Sequence, residues 1–291
     1  MQKFISNAKI NLFLKVLNKR KDNFHNIFSL FHKLDLCDYI YISENDTIEV
    51  KSNVEICDVS DNIAYKAALA LNEYTGRNNT VLIEIDKQIP IGAGLGGGSS
   101  NAATTLIALN QVWNLNLTQT ELLEIAANLG SDVPFFIYDK PALISGRGDI
   151  IEPIDLKIEA YYLLIYPNIP INTAQAYAML KRDKNYKDSQ VNIDSLKEKC
   201  LQCESYSNEN ILLVDKLNLQ LENDFEEGIC QSNNELYKLK EILNMLSNGY
   251  AAMTGSGSSF FALFDTLQQA NQAKTHFQNT DYKVFVGKLT N

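Results

Sequence analysis

The sequence contains little histidine, little cysteine and no long hydrophobic segment. Its three histidines and five cysteines show no zinc-ligand spacing, and the one Cys-x-x-Cys pair, Cys200 and Cys203, has neither a second pair nor a histidine nearby. We therefore predict reduced thiols and no metal site built from cysteine and histidine side chains. No apolar run approaches the roughly 18 residues that cross a bilayer, and the polar N-terminus lacks the pattern of a signal peptide. Both observations predict a cytoplasmic protein without a membrane partner.

Basic residues are also scarce. Lys and Arg number 26 against 35 Asp and Glu, so the formal net charge is -9, and we expect no nucleic-acid partner. An acidic protein can still bind phosphates through backbone amides and a few local cations. A chain of 291 residues is long enough for two domains. We place their boundary near residue 155, because Pro153 and a polar stretch precede the apolar run 161–167.

Hydrophobic periodicity predicts alternating helices and strands. The predicted strands are residues 8–16, 80–85, 161–167, 250–254, 260–264 and 282–289. The predicted helices are residues 99–113, 233–247 and 266–278, and a helix that begins at the capping pair Thr118 and Glu121 and ends at Gly130. Residues 181–210 are polar and are expected to lie on the surface.

Five glycines fall within seven positions at residues 92–98, GAGLGGG, immediately before a predicted helix. The dinucleotide-binding fingerprint is matched only formally, because the acidic residue it requires about 20 residues later falls inside a helix near Glu121. A Walker A loop requires Lys after its last glycine, and Ser99 stands there. Consecutive glycines let backbone N–H groups converge on an anion, and the following helix adds its positive N-terminus. The pattern therefore predicts a phosphate-binding loop; the alternative is a linker or a tight packing turn.

Two further positions carry candidate catalytic side chains. In the strand 8–16, Lys9 and Asn11 share one face and Ile10 and Leu12 the other. The alternative is that the polar face is simply solvated. Asp132 stands between a helix end and an apolar run, where its carboxylate could equally cap the turn.

Four segments occur in the order SNAKINLFL, PIGAGLGGGSSNAA, LGSDVPFF and TGSGSSFFALF. Together they resemble the GHMP kinase family of small-molecule kinases over essentially the whole chain. With DNFH at residues 22–25, the chain is most similar to the branch that phosphorylates a cytidine diphosphate-linked methylerythritol. The resemblance implies an α+β, two-domain GHMP kinase-like fold with domains 1–155 and 156–291 and an active site in the inter-domain cleft. It also implies ATP and Mg²⁺ as cofactors and a monomer or homodimer.

The same resemblance implies roles for single residues. Asp132 would accept the hydroxyl proton, Lys9 would keep Asp132 ionised, and Asn11 would hydrogen-bond the substrate polyol. Ser99 or Ser100 could contribute a hydroxyl to Mg²⁺. The residues implied at the ATP phosphates are Pro90, Gly92, Gly94, Leu95, Gly96, Gly97, Gly98, Ser99 and Ser100.

On the substrate side, the resemblance implies that cytosine lies between the rings of Phe24 and Tyr177 and that His25 reads its edge. The family pattern usually has Tyr at the position of Phe24, so the stacking face is kept and a phenol hydrogen bond is lost. Thr173 and the turn formed by Gly255, Ser256 and Gly257 would complete this side. Two alternatives stay open: a sister kinase acting on homoserine, mevalonate or a sugar, and a non-catalytic nucleotide-binding protein.

Overall fold

The computed structural model describes residues 1–55, 58–138, 140–183, 186, 193–209, 214 and 220–290. The strands are β1 Gln2–Lys19, β2 His25–Ser43, β3 Ile48–Ser52, β4 Val81–Asp86, β5 Ala142–Ser145, β6 Ile150–Pro153, β7 Tyr161–Tyr166, β8 Glu222–Asn223, β9 Ala251–Met253, β10 Phe260–Phe264 and β11 Lys283–Lys288. The helices are α1 Ile63–Thr75, α2 Gly97–Val112, α3 Gln119–Leu129, α4 Val133–Ile137, α5 Thr173–Met179, α6 Ile193–Glu209, α7 Glu226–Ser232, α8 Asn234–Leu246 and α9 Leu267–Lys274.

The chain forms two compact units, and neither is contiguous in sequence. Unit 1 comprises Met1–Ala8, Leu36–Ile91 and Gly96–Asp139, and unit 2 comprises Lys9–Asp35, Gly92–Leu95 and Lys140–Asn291. The two long strands β1 and β2 therefore contribute residues to both units. The predicted boundary near residue 155 lies within unit 2, and the domain division at that point stays a prediction.

Unit 1 packs helices beside a small sheet. β4 pairs with β3 in parallel and with the end of β2 antiparallel, and alternate residues of β4 are buried. The helix α1 lies against α2, which also packs on α4. Both α1 and α2 bury small side chains, such as Ala67 in α1 and Ala102 in α2. Because these side chains are small, the two helix backbones can approach closely.

Unit 2 contains an antiparallel four-stranded sheet in the order β11-β7-β10-β9. Every residue of β10 is buried, as its continuous apolar sequence indicates. The helices α8 and α9 pack against this sheet. In the same unit β5 pairs with β2 and β6, and the short β8 pairs with β1 in parallel.

The predicted elements are confirmed with small shifts at their ends. The predicted helix 99–113 begins at Gly97, and the helix predicted over 266–278 ends at Lys274 and is followed by a 3-10 turn. The predicted strand 8–16 extends in both directions to form β1. Part of the polar segment 181–210 lies outside the described residues, but its residues 193–202 are exposed or half-buried apart from Cys200. Each helix that the structure describes is too short or too polar to cross a membrane.

His32 on β2 makes stability depend on pH. Its side chain is fully buried, its Nδ1 hydrogen-bonds the carbonyl oxygen of Lys33, and its Nε2 has no partner among the described residues. Burial lowers the pKa of His32 to about 4 from its usual 6.5, because a buried imidazolium would lose its hydration. Between these two values the unfolded chain binds the extra proton, so stability falls as the pH is lowered through this range.

We expect the free energy of unfolding to fall by about 2 kcal/mol between about pH 7 and about pH 5 because of His32 alone. Urea titrations at the two pH values would measure this loss. His32→Leu removes the titrating group and should remove that part of the pH dependence, whereas the exposed His276 serves as the matched control, His276→Leu. An identical pH dependence in wild type and His32→Leu would contradict the buried neutral imidazole.

Candidate active site

The glycine loop, residues 92–98, lies in the connection from β4 to α2 and includes the first two residues of α2. Gly92, Gly94 and Gly96 adopt positive φ angles of 68°, 77° and 68°. Residues with a side chain rarely adopt this left-handed conformation. Gly96 is also the residue that caps the start of α2. The alternating glycines are therefore required by the backbone path itself, before any ligand is considered.

Gly94 additionally has no space for a side chain. A Cβ atom at Gly94 would lie 2.3 Å from the carbonyl oxygen of Thr254, and one at Gly255 would lie 3.0 Å from the Cα of Gly94. The Thr254 hydroxyl oxygen lies 3.3 Å from the Gly94 carbonyl oxygen. Backbone thus packs on backbone, and the turn 254–257 between β9 and β10 supports the first part of the glycine loop.

Of the two serines in the first turn of α2, only Ser99 is accessible to solvent. Ser99 is half-buried. Ser100 is only 1% exposed, and its hydroxyl oxygen accepts a hydrogen bond from the Ser6 hydroxyl at 2.8 Å. The first N–H groups of an α-helix have no acceptor within the helix, and they carry the positive end of its dipole. Of the two hydroxyls, that of Ser99 is better placed to join these N–H groups in binding an anion.

Lys9 and Asn11 are both buried on β1. Lys9 is 3% and Asn11 is 1% exposed. The Lys9 ammonium donates to the side-chain oxygen of Asn11 at 2.9 Å. The ammonium also lies 4.5 Å from the centre of the Phe31 ring. The predicted shared face is confirmed. The alternative that this face is solvated is wrong, because β1 is buried on both sides here.

The Asn11 side chain ties β1 to the turn 254–257. Its oxygen accepts hydrogen bonds from the Thr254 hydroxyl at 3.0 Å and from the Gly255 N–H at 2.8 Å. Its nitrogen donates to the hydroxyl of Ser29 at 2.9 Å. The predicted contact of Asn11 with a substrate polyol would use the second hydrogen of this nitrogen and stays a prediction. The same amide already orders the turn that supports the glycine loop.

Asp132 immediately precedes α4 in unit 1. Its side chain is half-buried and makes no capping hydrogen bond to that helix. Pro134 near the start of α4 removes one of the N–H groups that a cap would otherwise satisfy. The carboxylate is therefore not accounted for as a helix cap, and its predicted catalytic role stays a prediction.

The predicted base-binding residues of unit 2 are partly assembled. The rings of His25 and Tyr177 stack with centroids 5.0 Å apart and an angle of 19°. The His25 Nε2 lies 3.1 Å from the carbonyl oxygen of Arg182, so this nitrogen carries the proton. Phe24 is 54% exposed, and the guanidinium carbon of Arg147 lies 5.6 Å from its ring centre. The predicted position of cytosine between Phe24 and Tyr177 stays a prediction.

Thr173 links the same region to the turn 254–257. Its hydroxyl lies 3.0 Å from that of Ser256. Thr173 is the first residue of α5 and Tyr177 follows one turn later, so the two side chains lie on one helix face. Within unit 2 the structure thus connects Lys9 and Asn11, through the turn 254–257, to α5 and Tyr177.

Comparison with known proteins identifies the family. Residues 62–140 match the GHMP kinases N terminal domain, and residues 208–283 match the GHMP kinases C terminal domain. A 4-diphosphocytidyl-2-C-methyl-D-erythritol kinase of Thermodesulfovibrio yellowstonii is 37% identical over 277 residues, which cover 93% of this chain and 92% of that protein. The chain belongs to the GHMP kinase family. An enzyme of the same name from Prochlorococcus marinus strain MIT 9301 is also 37% identical, over 94% of this chain and 89% of its own.

Two solved structures have the same fold as this chain. The crystal structure of a 4-(cytidine 5'-diphospho)-2C-methyl-D-erythritol kinase matches with a TM-score of 0.79 and 27% identity over 100% of both chains. The mevalonate kinase of Methanococcus jannaschii matches with a TM-score of 0.68 at 15% identity, over 100% of this chain and 98% of its own. The second match shows the shared fold alone.

The sequence did not predict the contacts of three polar residues of this GHMP kinase. Arg147 lies over the Phe24 ring, the backbone of Arg182 orients His25, and the buried Asp38 contacts residues on both sides of the glycine loop. None of them belongs to a periodic pattern or a known short motif. The polarity of residues 181–210 was the only available signal for Arg182, and it indicated a surface position.

Proposed function

We propose that the protein is a small-molecule kinase that transfers the γ-phosphoryl group of ATP to the 2-hydroxyl of 4-diphosphocytidyl-2-C-methyl-D-erythritol, a precursor in non-mevalonate isoprenoid synthesis. The observation that carries this proposal is the near full-length similarity to relatives bearing that name. The stacked pair His25 and Tyr177 supports a nucleobase-containing substrate over homoserine, mevalonate or a sugar. We also propose a cytoplasmic location, where ATP and this charged substrate are found.

ATP phosphates would be bound by the glycine loop and the first turn of α2. The left-handed glycines expose backbone N–H groups, and the helix N-terminus adds a positive potential. Among the described residues, no group of three or more His, Cys, Asp or Glu side chains could hold a metal ion. A Mg²⁺ ion would be held mainly by phosphate oxygens and water, with the half-buried Ser99 as its protein ligand; bound there, it would neutralise phosphate charge.

In the transfer step, the substrate hydroxyl oxygen forms a bond to the γ-phosphorus as the bond from that phosphorus to the β-bridging oxygen breaks, releasing ADP. The hydroxyl proton passes to the carboxylate of Asp132. Phosphoryl transfer has a loose transition state, so alignment and charge neutralisation provide most of the catalysis. The Lys9 ammonium, held by Asn11, would stabilise the developing negative charge.

The cytosine would stack on the exposed ring of Phe24 and on Tyr177, with each contact contributing about 1–3 kcal/mol. Because Nε2 of His25 donates to the Arg182 carbonyl, Nδ1 is left as a hydrogen-bond acceptor for the base edge. Thr173 and the turn 254–257 would contact the remainder of the substrate, as their mutual hydrogen bond places them together.

The proposal is tested by measuring ADP release from Mg·ATP with four acceptors: 4-diphosphocytidyl-2-C-methyl-D-erythritol, homoserine, mevalonate and galactose. We expect turnover with the cytidine-containing acceptor only. Turnover with another acceptor in its place would assign the protein to a sister kinase. ATP binding without turnover of any acceptor would favour the non-catalytic alternative.

A further inference from the structure

A buried carboxylate on β2 joins the two ends of the glycine loop. Asp38 is fully buried. One of its oxygens accepts the backbone N–H groups of Gln88 at 2.7 Å and Ile89 at 2.8 Å, which lie before the loop. The other accepts the Asn101 side-chain amide at 2.9 Å, which lies in α2 after the loop, and the Lys87 ammonium at 2.5 Å. A single side chain thus fixes the chain where it enters and where it leaves the loop.

The ammonium of Lys87 lies at the start of α2, where a cation needs a paired anion. A Cβ atom at Gly97 would lie 2.8 Å from the Lys87 Nζ, so the ammonium packs directly against the first residue of α2. Cations are normally disfavoured at a helix N-terminus, which already carries positive potential. Burial lowers the pKa of Lys87, although the adjacent Asp38 opposes this effect. The buried Asp38 carboxylate, paired with the Lys87 ammonium at 2.5 Å, is the anion that offsets both costs.

Two serines extend the same network. The Asn101 amide also donates to the hydroxyl of Ser6 at 2.9 Å, and Ser6 donates to Ser100 at 2.8 Å. Ser6, Asp38, Ser100 and Asn101 are each at most 2% exposed. In such a buried polar network, removing one partner leaves the hydrogen-bonding group of another unsatisfied. The first turn of α2 is therefore held from inside unit 1 and is not free to adjust.

We propose that Asp38 is a positioning residue for ATP: acting through Lys87 and Asn101, it holds the glycine loop and the first turn of α2 in the conformation that binds phosphate. This inference rests on the proposed kinase function and adds a role for Asp38, which is fully buried and acts through its neighbours. It predicts that losing the Asp38 charge weakens ATP binding while leaving the alcohol acceptor site unchanged.

The test uses Asp38→Asn in the full-length protein and measures the Kd of ATP by titration calorimetry together with the KM of each substrate. The asparagine amide would face two donors, Lys87 and Asn101, so we expect the Kd and KM of ATP to rise about tenfold. The KM of the cytidine-containing acceptor at saturating ATP should change by less than about twofold. A defect in overall folding would not separate the two substrates in this way.

Two variants make the test decisive. Asn101→Ala keeps the ion pair and removes the Asn101 hydrogen bonds to Asp38 and Ser6, so it should weaken ATP binding less. It decides the question if Asp38→Asn does not fold. Asp35→Asn is the matched control, because Asp35 also lies on β2 and accepts two hydrogen bonds, from Tyr162 at 2.7 Å and Lys288 at 3.0 Å, without contacting the loop. Unchanged ATP affinity in the folded variants, or an equal loss in Asp35→Asn, would overturn the inference while leaving the kinase function intact. Wild-type protein that does not bind ATP would overturn both.

Discussion

Asp132→Asn is expected to lower kcat by about a thousandfold with little change in the KM of ATP. The substituted amide has nearly the shape of the carboxylate but cannot accept the proton that the substrate hydroxyl loses. Asp132 makes no capping hydrogen bond to α4, so the substitution removes no cap from that helix. ADP release at saturating concentrations of both substrates measures the loss, and the Tm of the variant tests whether the fold is kept.

The matched control is Asp61→Asn. Asp61 lies in the same unit, is exposed, and pairs with Lys66 at 3.3 Å, an interaction that contributes little in water. This variant should retain wild-type kcat. If folded Asp132→Asn also stays within about twofold of wild type, proton acceptance by Asp132 is wrong and the lost proton goes elsewhere.

Features whose partners are close in sequence could be predicted. Thr118 and Glu121 form the predicted capping box, with the Thr118 N–H donating to Glu121 at 2.8 Å and the Glu121 N–H donating to Thr118 at 3.3 Å. The partners are three positions apart, so the pair can be read directly from the sequence. The glycine loop was predictable for the same reason, because its glycines and the helix they precede are contiguous.

Features whose partners are distant in sequence could not be predicted. Alternation along residues 8–16 places Lys9 and Asn11 on one face, but a solvated face and a second buried face produce the same pattern. The partners that bury Asn11 are Thr254 and Gly255, which are 243 and 244 positions away. Asp38 is a similar case. A lone aspartate in a strand gives no indication in the sequence that four hydrogen-bond donors converge on its carboxylate.

Gly94→Ala is expected to abolish ATP binding and to destabilise unit 2. A Cβ at this position would lie 2.3 Å from the carbonyl oxygen of Thr254, and neither of the two backbone segments can rotate away as a side chain could. The positive φ of 77° adds strain of about 1–2 kcal/mol. The loop must therefore leave the turn 254–257, which removes the support of the phosphate site. Urea unfolding and ATP titration measure the two effects.

Gly76→Ala separates backbone strain from steric overlap. Gly76 has a φ of 66°, close to that of Gly94, but a Cβ there would have no atom within 4 Å, and it ends α1 outside the glycine loop. We expect it to lose about 1 kcal/mol of stability and to retain ATP binding. Equal destabilisation by Gly94→Ala and Gly76→Ala would mean that strain alone matters at Gly94. The backbone contact with Thr254 would then not be what holds the loop, and the role of the turn 254–257 in supporting the phosphate site would have to be abandoned.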